Sequence, residues 1–312
     1  MSNSASAALS DQRAIAGGWE SQKRRQFVYG TLPAMVVLVI VTVVPALFLL
    51  TTSFTPLDLT RPEETTLNFS QPLVNYSGLV TDNRFTDSLQ KQVILSAFTV
   101  GFQLLIGLAV AVMLNSRSRF VEAVRTTFLV PMVLPPIVVA IIWKVLYTPD
   151  ISPIYWVFRL LGLDVPVMIT TANLALPAII IADVWEWFPF SMLMILAALQ
   201  MMPEEPLEAA KIDGASNWQV FLHVVLPLLR PTIVVACLFR LIDSIKAFPL
   251  IYIITQGGPG TETEVTNYYG FLQAFNFSYL GYASAITVIM VAAVFFLSWA
   301  VMRIVGTEVE VE

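Results

Sequence analysis

Apolar residues gather into six long runs with short polar stretches between them, at about residues 31–54, 93–114, 128–147, 174–199, 227–248 and 280–305. Runs of about 20 apolar residues are long enough to cross a bilayer as helices, so each is expected to be a membrane span. The first is too long for the core of a cleaved leader and has no small-residue cleavage site after it, so it is read as an anchor. Residues 1–28 ahead of it are expected to form a cytoplasmic tail, of which 1–20 are polar, rich in Ala, Ser and Gly, and expected to be loose. The third run contains Pro131, Pro135 and Pro136 and is expected to be a bent, bundle-facing helix. Residues 55–88 form a polar connector.

Composition strengthens this pattern. Of 312 residues, 57% are hydrophobic and only 12% charged, and mean hydropathy is +0.75. Soluble domains carry roughly twice that charged fraction. The formal net charge of −5, without basic clusters, gives no support for nucleic acid as a partner. Cys237 is the single cysteine and lies in an apolar run, so no disulfide within the chain and no Cys/His metal site is expected.

Charge also orients the runs. Arg13, Lys23, Arg24, Arg25, Arg117, Arg119, Arg125, Lys211, Arg230 and Arg303 fall on one side of a six-span topology, and only Arg61, Arg84, Lys91 and Arg159 on the other. Short loops rich in Lys and Arg stay in the cytoplasm, which predicts that both termini are cytoplasmic. The expected class is an all-α, multi-pass membrane protein, with residues 29–312 as one membrane domain surrounded by lipid.

One cytoplasmic stretch, residues 203–226, has the chemistry of a helical elbow. Pro206 suits a first helical turn, and Glu204, Glu205 and Glu208 place negative charge at the positive end of the helix dipole. Gly214 after Asp213 supplies a left-handed terminus. Ser216 with Gln219 forms a capping-box pattern, followed by Trp218, Phe221, Leu222 and Val225 at helical spacing. Pro227 and Pro231 are expected to break or bend the second helix before the fifth span.

The spacing of Glu208-Ala209-Ala210, Gly214, Val224 and Leu226-Pro227 resembles the EAA loop of the inner-membrane subunits of binding-protein-dependent ABC importers. The run Arg240-Leu241-Ile242-Asp243-Ser244-Ile245-Lys246-Ala247-Phe248, then Ile251-Tyr252, Thr255-Gln256-Gly257-Gly258-Pro259, Ala274-Phe275 and Gly281-Tyr282-Ala283-Ser284-Ala285, is similar to permeases for maltose, other oligosaccharides and glycerol-3-phosphate. The likeness runs from about Ala97 to Ile304. It departs at Pro249, where those permeases commonly have Asp. The resemblance implies a type I importer permease fold with a coupling helix, in a bacterial inner membrane. It also implies a second homologous permease subunit, two ATPase subunits that carry ATP and Mg, and an extracytoplasmic solute-binding protein. No cofactor is expected on this chain, and no catalysis. Glu208, Ala209, Ala210, Asp213, Gly214, Trp218, Leu226 and Pro227 become the expected ATPase-coupling residues. Gln256, Gly257, Gly258 and Pro259 become an expected loop facing the binding protein.

Charges inside spans cost about 2.5–3.5 kcal/mol each on insertion scales and usually point inward. Asp183 and Glu186 in span four, and Arg240, Asp243 and Lys246 in span five, repeat at a three-residue interval and so share a helix face. From helix rise, Asp183 lies about 14 Å from the outer end of its span and Arg240 about 20 Å from the inner end of its own, which are similar levels in a core about 30 Å thick. Arg240 is therefore expected to pair with Asp183 or Glu186, in a layer that either borders the solute path or only holds the bundle together. Trp185, Trp187, Phe188 and Phe190 crowd these acids, as sugar-facing rings or as packing; Gln103 and Ser244 are further candidates.

Gly257-Gly258-Pro259-Gly260 lacks the Lys-Ser/Thr of a phosphate loop and reads as a tight turn. His223, the only histidine, has no Ser or Asp companions with which to build a catalytic set. Two other classes fit parts of the pattern. A gradient-driven transporter or channel would use the buried acids without an ATPase, and a membrane scaffold would dock through the elbow without a solute path.

Overall fold

Helix is the only regular structure among the described residues, as long apolar runs in a bilayer require, because each must satisfy its own backbone hydrogen bonds. The computed structural model describes residues 3–61, 68–115 and 125–309, with side chains described over 28–61, 68–115 and 125–303. The side chains of Arg13 and Lys23–Arg25, and all of Arg117 and Arg119, therefore lie outside the described set.

The helices are α1 Asn3–Ser53, α2 Val74–Thr81, α3 Asn83–Met113, α4 Val130–Val133, α5 Pro136–Tyr147, α6 Pro153–Leu160, α7 Ala172–Met201, α8 Glu205–Ile212, α9 Asn217–Ile245, α10 Thr266–Phe271 and α11 Leu280–Val309. Among the described residues, five stretches are long and apolar enough to cross a membrane: Val28–Ser53, Asn83–Met113, Ala172–Met201, Asn217–Ile245 and Leu280–Arg303. Residues Met1–Thr52 form one compact unit and Ser53–Glu312 a second. The loose tail expected ahead of the first span is instead helical from Asn3, in keeping with the strong helix preference of its alanines.

The boundaries differ from expectation in three informative places. First, α3 starts well before residue 93. Asp82 accepts hydrogen bonds from the N–H groups of Arg84 and Phe85 at 2.9 and 3.2 Å, a side-chain cap that draws the helix out beyond the apolar run. Second, the expected third span is interrupted rather than bent. Leu134 and Pro135, each followed by a proline that disfavours helical backbone before it, have ψ of 142° and 137°, leaving only α5 as a continuous apolar helix. Third, Pro227 and Pro231 do not break α9. A π-turn at Phe221–Val225, in which the Leu226 N–H reaches back to the Phe221 carbonyl, accommodates the first proline ring and α9 continues to Ile245. Its other end stops short of residue 248, where Phe248 precedes Pro249.

The centre of the second unit is the crossing of α3 and α7. Gly107 makes that approach possible, because a Cβ on it would lie 2.8 Å from the Ser191 Cβ and 2.9 Å from the Met192 nitrogen. On one side of the crossing Leu95, Val139, Ile179, Ala182 and Ile251 pack together; on the other, Ala111, Met192, Ile195 and Leu229 do. Polar side chains are threaded through this core, and they form the site.

Candidate functional site

Three places carry chemistry: a buried charged layer, the elbow, and the segment beyond the C-terminal end of α9.

The layer is assembled from α3, α7 and α9. Arg240 is 2% exposed and Glu186 1%, so both are removed from solvent. The expected direct pairing of Arg240 with Asp183 or Glu186 is not what the structure shows. Arg240 donates from Nε to Gln103 Oε1 at 2.9 Å, and Gln103 in turn donates from Nε2 to Asp183 Oδ2 at 2.7 Å. Gln103 stands between the charges because the close α3–α7 crossing four residues away brings an amide of the right length to that level. The direct ion pair of Arg240 is instead with Asp243 at 3.3 Å, and Asp243 also holds Lys246 at 3.1 Å. The guanidinium lies 4.4 Å from the centre of the Trp187 ring, a cation–π contact inside the bundle. The result is a chain, Asp183–Gln103–Arg240–Asp243–Lys246, passing from buried to exposed.

A cavity of about 260 Å³ lies against this chain, lined by Asp183, Glu186, Trp187, Arg240, Asp243 and Lys246 together with Pro136 and the segment 247–250. Pro249 is thus part of its wall. Glu186 Oε1 makes no hydrogen bond in the structure, and a buried carboxyl oxygen left without a partner is costly unless a ligand or water satisfies it. Two expected path residues are placed elsewhere. Trp185 packs edge-on against Trp143 at 5.8 Å, within the core around α5. Ser244 is buried, donating its hydroxyl to the Leu241 carbonyl, while its own carbonyl accepts from Gln92 at 3.0 Å.

At the elbow, α8 ends in a full Schellman arrangement. Gly214 has φ of +82°, its N–H donates to the Lys211 carbonyl at 3.1 Å, and the Ala215 N–H reaches the Ala210 carbonyl at 3.0 Å. The capping box then opens α9, with Gln219 Oε1 accepting from the Ser216 N–H at 2.8 Å and the Gln219 N–H donating to Ser216 Oγ at 3.4 Å. No residue of α8 is buried. Glu208, Ala209, Asp213 and Trp218 face outward, Ala210 and Leu226 are half-buried, and Pro227 is exposed. Ile212 is 86% exposed, an apolar tip on a charged knob. Trp218 stacks on Phe221 with centroids 5.5 Å apart.

Beyond α9 the chain makes a second π-turn, Ile251–Thr255, whose last turn is closed by the Gln256 N–H donating to the Ile251 carbonyl at 2.8 Å. Gln256 and Gly257 are left-handed, and Gly257 lies against Tyr268. Pro259 follows in the same turn. α3 holds this segment through Arg84, which donates from Nε and Nη2 to both oxygens of Glu264 at 2.7 Å, and through Lys91 on the Thr261 carbonyl at 2.6 Å. Asp82 also accepts from the hydroxyls of Tyr269 and Tyr282 at 2.6 and 2.5 Å. Burial pushes the Asp82 carboxyl upward, but these two hydroxyls and the two backbone N–H groups prevail and hold it below the usual carboxylate range. Sequence reasoning missed this corner because Asp82, Arg84 and Glu264 sit among many polar connector residues and only folding pairs them.

A helical bundle with a buried ionic layer and an exposed, locally capped elbow defines a membrane transport component. The sequence profile described as "Binding-protein-dependent transport system inner membrane component" matches residues 103–310, and the chain belongs to that family. It is 36% identical over 209 residues to the trehalose/maltose transport system permease protein MalF of Thermococcus litoralis, covering 67% of this chain and 70% of that one. To the sulfoquinovosyl glycerol transport system permease protein SmoG of Agrobacterium fabrum it is 33% identical over 278 residues, covering 88% and 89%. Its fold matches, with a TM-score of 0.77 at 20% identity over 91% of this chain and 96% of the other, a chain of a bacterial alginate ABC transporter solved with an alginate pentasaccharide-bound periplasmic protein.

Proposed function

We propose that this chain is one of the two transmembrane subunits of an ATP-driven importer for a carbohydrate-like solute, with the elbow as the dock for a cytoplasmic ATPase and the cavity beside Arg240 as part of the solute path. The observation that carries this reading is the continuity of α9. One helix begins at the elbow with Trp218 and delivers Arg240 and Asp243 to the cavity wall, a separation of about 33 Å at 1.5 Å per residue. A displacement of the exposed knob is thereby transmitted along a rigid rod to the charged layer. Relatives named for trehalose, maltose and sulfoquinovosyl glycerol support a solute rich in hydroxyls, and the unsatisfied Glu186 oxygen offers such a solute a hydrogen-bond partner.

In this reading both termini are cytoplasmic, as the charge count favours. The sixth crossing is made by α4 and α5 together, with the irregular Leu134–Pro135 joint enclosed by protein. Glu208 contacts the ATPase cleft by charge or capping, and Ala209 and Ala210 allow close approach. ATP and Mg are held by two ATPase subunits, a second permease closes the path, and a binding protein delivers solute to the 256–259 turn. Affinity purification from native membranes tests the core of this proposal. A P-loop ATPase is expected to co-purify with the wild-type chain and to be lost with Glu208→Arg, while the thermal midpoint of the permease is unchanged. Uptake that persists without any ATPase and collapses when the ion gradient is dissipated would instead establish a gradient-driven transporter.

A further inference from the structure

Phe248, which lines the charged cavity, is the first of a connected set of rings that leads away from it. Phe248 stacks on Tyr252 with centroids 5.2 Å apart and an interplanar angle of 19°, and meets Phe271 at 4.9 Å; Phe271 meets Phe275 at 5.1 Å. Buried Tyr268 backs them, stacked on Phe271 at 6.2 Å. The ring farthest from the cavity is the most exposed: Phe275 is 74% exposed and Tyr252 45%, while Phe248 and Phe271 are half-buried. The Tyr252 hydroxyl makes no hydrogen bond among the described residues, whereas those of Tyr147, Tyr155 and Tyr269 each find one. A hydroxyl facing hydrocarbon without a partner is costly, so the face that carries it meets water or a polar ligand. Asn267, next to Tyr268, donates to the backbone carbonyl of Lys246, which lines the cavity, at 3.0 Å.

We propose that Phe275, Phe271, Tyr252 and Phe248 form an aromatic track on which the sugar rings of an incoming oligosaccharide stack in succession on their way to the cavity. Pyranose rings offer flat C–H faces to aromatic rings and hydroxyls to the rim, which is the pairing of surfaces this track presents. The occupant is the solute rather than lipid, because the track is continuous with the cavity wall at one end and carries a free hydroxyl midway. This proposal rests on the carbohydrate reading above and adds the place where the solute first engages the permease.

The test uses the full transporter with its ATPase and binding protein in proteoliposomes. The probes are radiolabelled trehalose, maltose, maltotriose and maltoheptaose, and the readout is sugar accumulated per ATP hydrolysed. Phe275→Leu and Tyr252→Leu keep apolar area but remove the stacking face. Each is expected to lower the ratio about three- to tenfold, the range set by a single aromatic contact, and more for the longest sugar imported, with the ATPase rate unchanged. Phe275→Trp is expected to retain the wild-type ratio. A wild-type ratio in Phe275→Leu would overturn the proposal, since apolar area alone would then suffice and lipid or the second permease would be what covers the ring. Loss of complex assembly in both the Leu and Trp variants would also overturn it, by assigning Phe275 to a subunit interface. ATP hydrolysis by the wild type without uptake of any probe would defeat the carbohydrate reading itself, and the track with it.

Discussion

The elbow and the buried layer are both polar structures in an apolar protein, but they are built in opposite ways. In the elbow every polar partner lies within five residues of its donor: Gly214 with Lys211, Ala215 with Ala210, Ser216 with Gln219. In the layer the decisive contacts join Gln103 to residues 80 and 137 positions away. A local structure specifies itself and tolerates exposure, whereas a distributed one exists only when three helices are already in place. The elbow can therefore move as a unit against a partner while the layer answers to the position of whole helices.

Mutations can break this contrast, beginning with the largest expected effect. Arg240→Met removes the buried cation that Gln103 and the half-exposed Asp243 share. It leaves Gln103 without its partner and the buried Asp183 and Glu186 without a nearby positive charge, at about 1–3 kcal/mol for each group left unsatisfied. A large drop in the thermal midpoint of the purified permease is expected, and an unchanged midpoint would show the layer to be dispensable for folding. Gln103→Leu should be next, because it orphans one hydrogen-bonding group on Asp183 and one on Arg240, at about 1–3 kcal/mol for each group left unsatisfied. If Gln103 is the bridge, Arg240→Asp combined with Asp183→Arg should fail to restore stability, and full rescue by that swap would reinstate direct pairing.

The elbow should respond differently. Gly214→Val places a β-branched residue at φ of +82°, at about 1–2 kcal/mol for the left-handed backbone. No neighbour obstructs the added Cβ within 4 Å, so the strain is conformational alone. The membrane bundle should stay folded while ATPase association and uptake fall sharply, and wild-type uptake with normal association would defeat the lever. Smallest is Ser216→Ala, which removes one cap and costs about 1 kcal/mol. It should lower solute transported per ATP by a modest factor without altering assembly.

How much was legible follows the same division. The elbow could be read almost residue by residue, because Pro206, Gly214, Ser216 and Gln219 act through their own backbone neighbours. The spans could be located but not bounded. Asp82 extends α3 by a cap set among polar connector residues, and the prolines at 135 and 136 interrupt a helix where those at 227 and 231 do not. A side-chain cap decided the first, consecutive prolines the second, and the π-turn at Phe221–Val225 the third. The intramembrane charges were recognisable as unusual, yet Trp185 and Trp187, two residues apart on one helix, parted into packing and cavity wall. The aromatic track was present in the sequence as Phe248, Tyr252, Phe271 and Phe275, but it spans a π-turn, a glycine turn and a short helix, so no single periodicity reveals it.

The sequence by itself determined the class of the protein, the rough position of its long apolar helices, and the local geometry of the elbow, all of which depend on composition or on contacts within about one helical turn. Only the tertiary structure decided who partners Arg240, that Glu186 has an oxygen to spare, and which rings face the cavity. Those outcomes depend on the relative depth and rotation of α3, α7 and α9, which the close approach at Gly107 sets and no local pattern records.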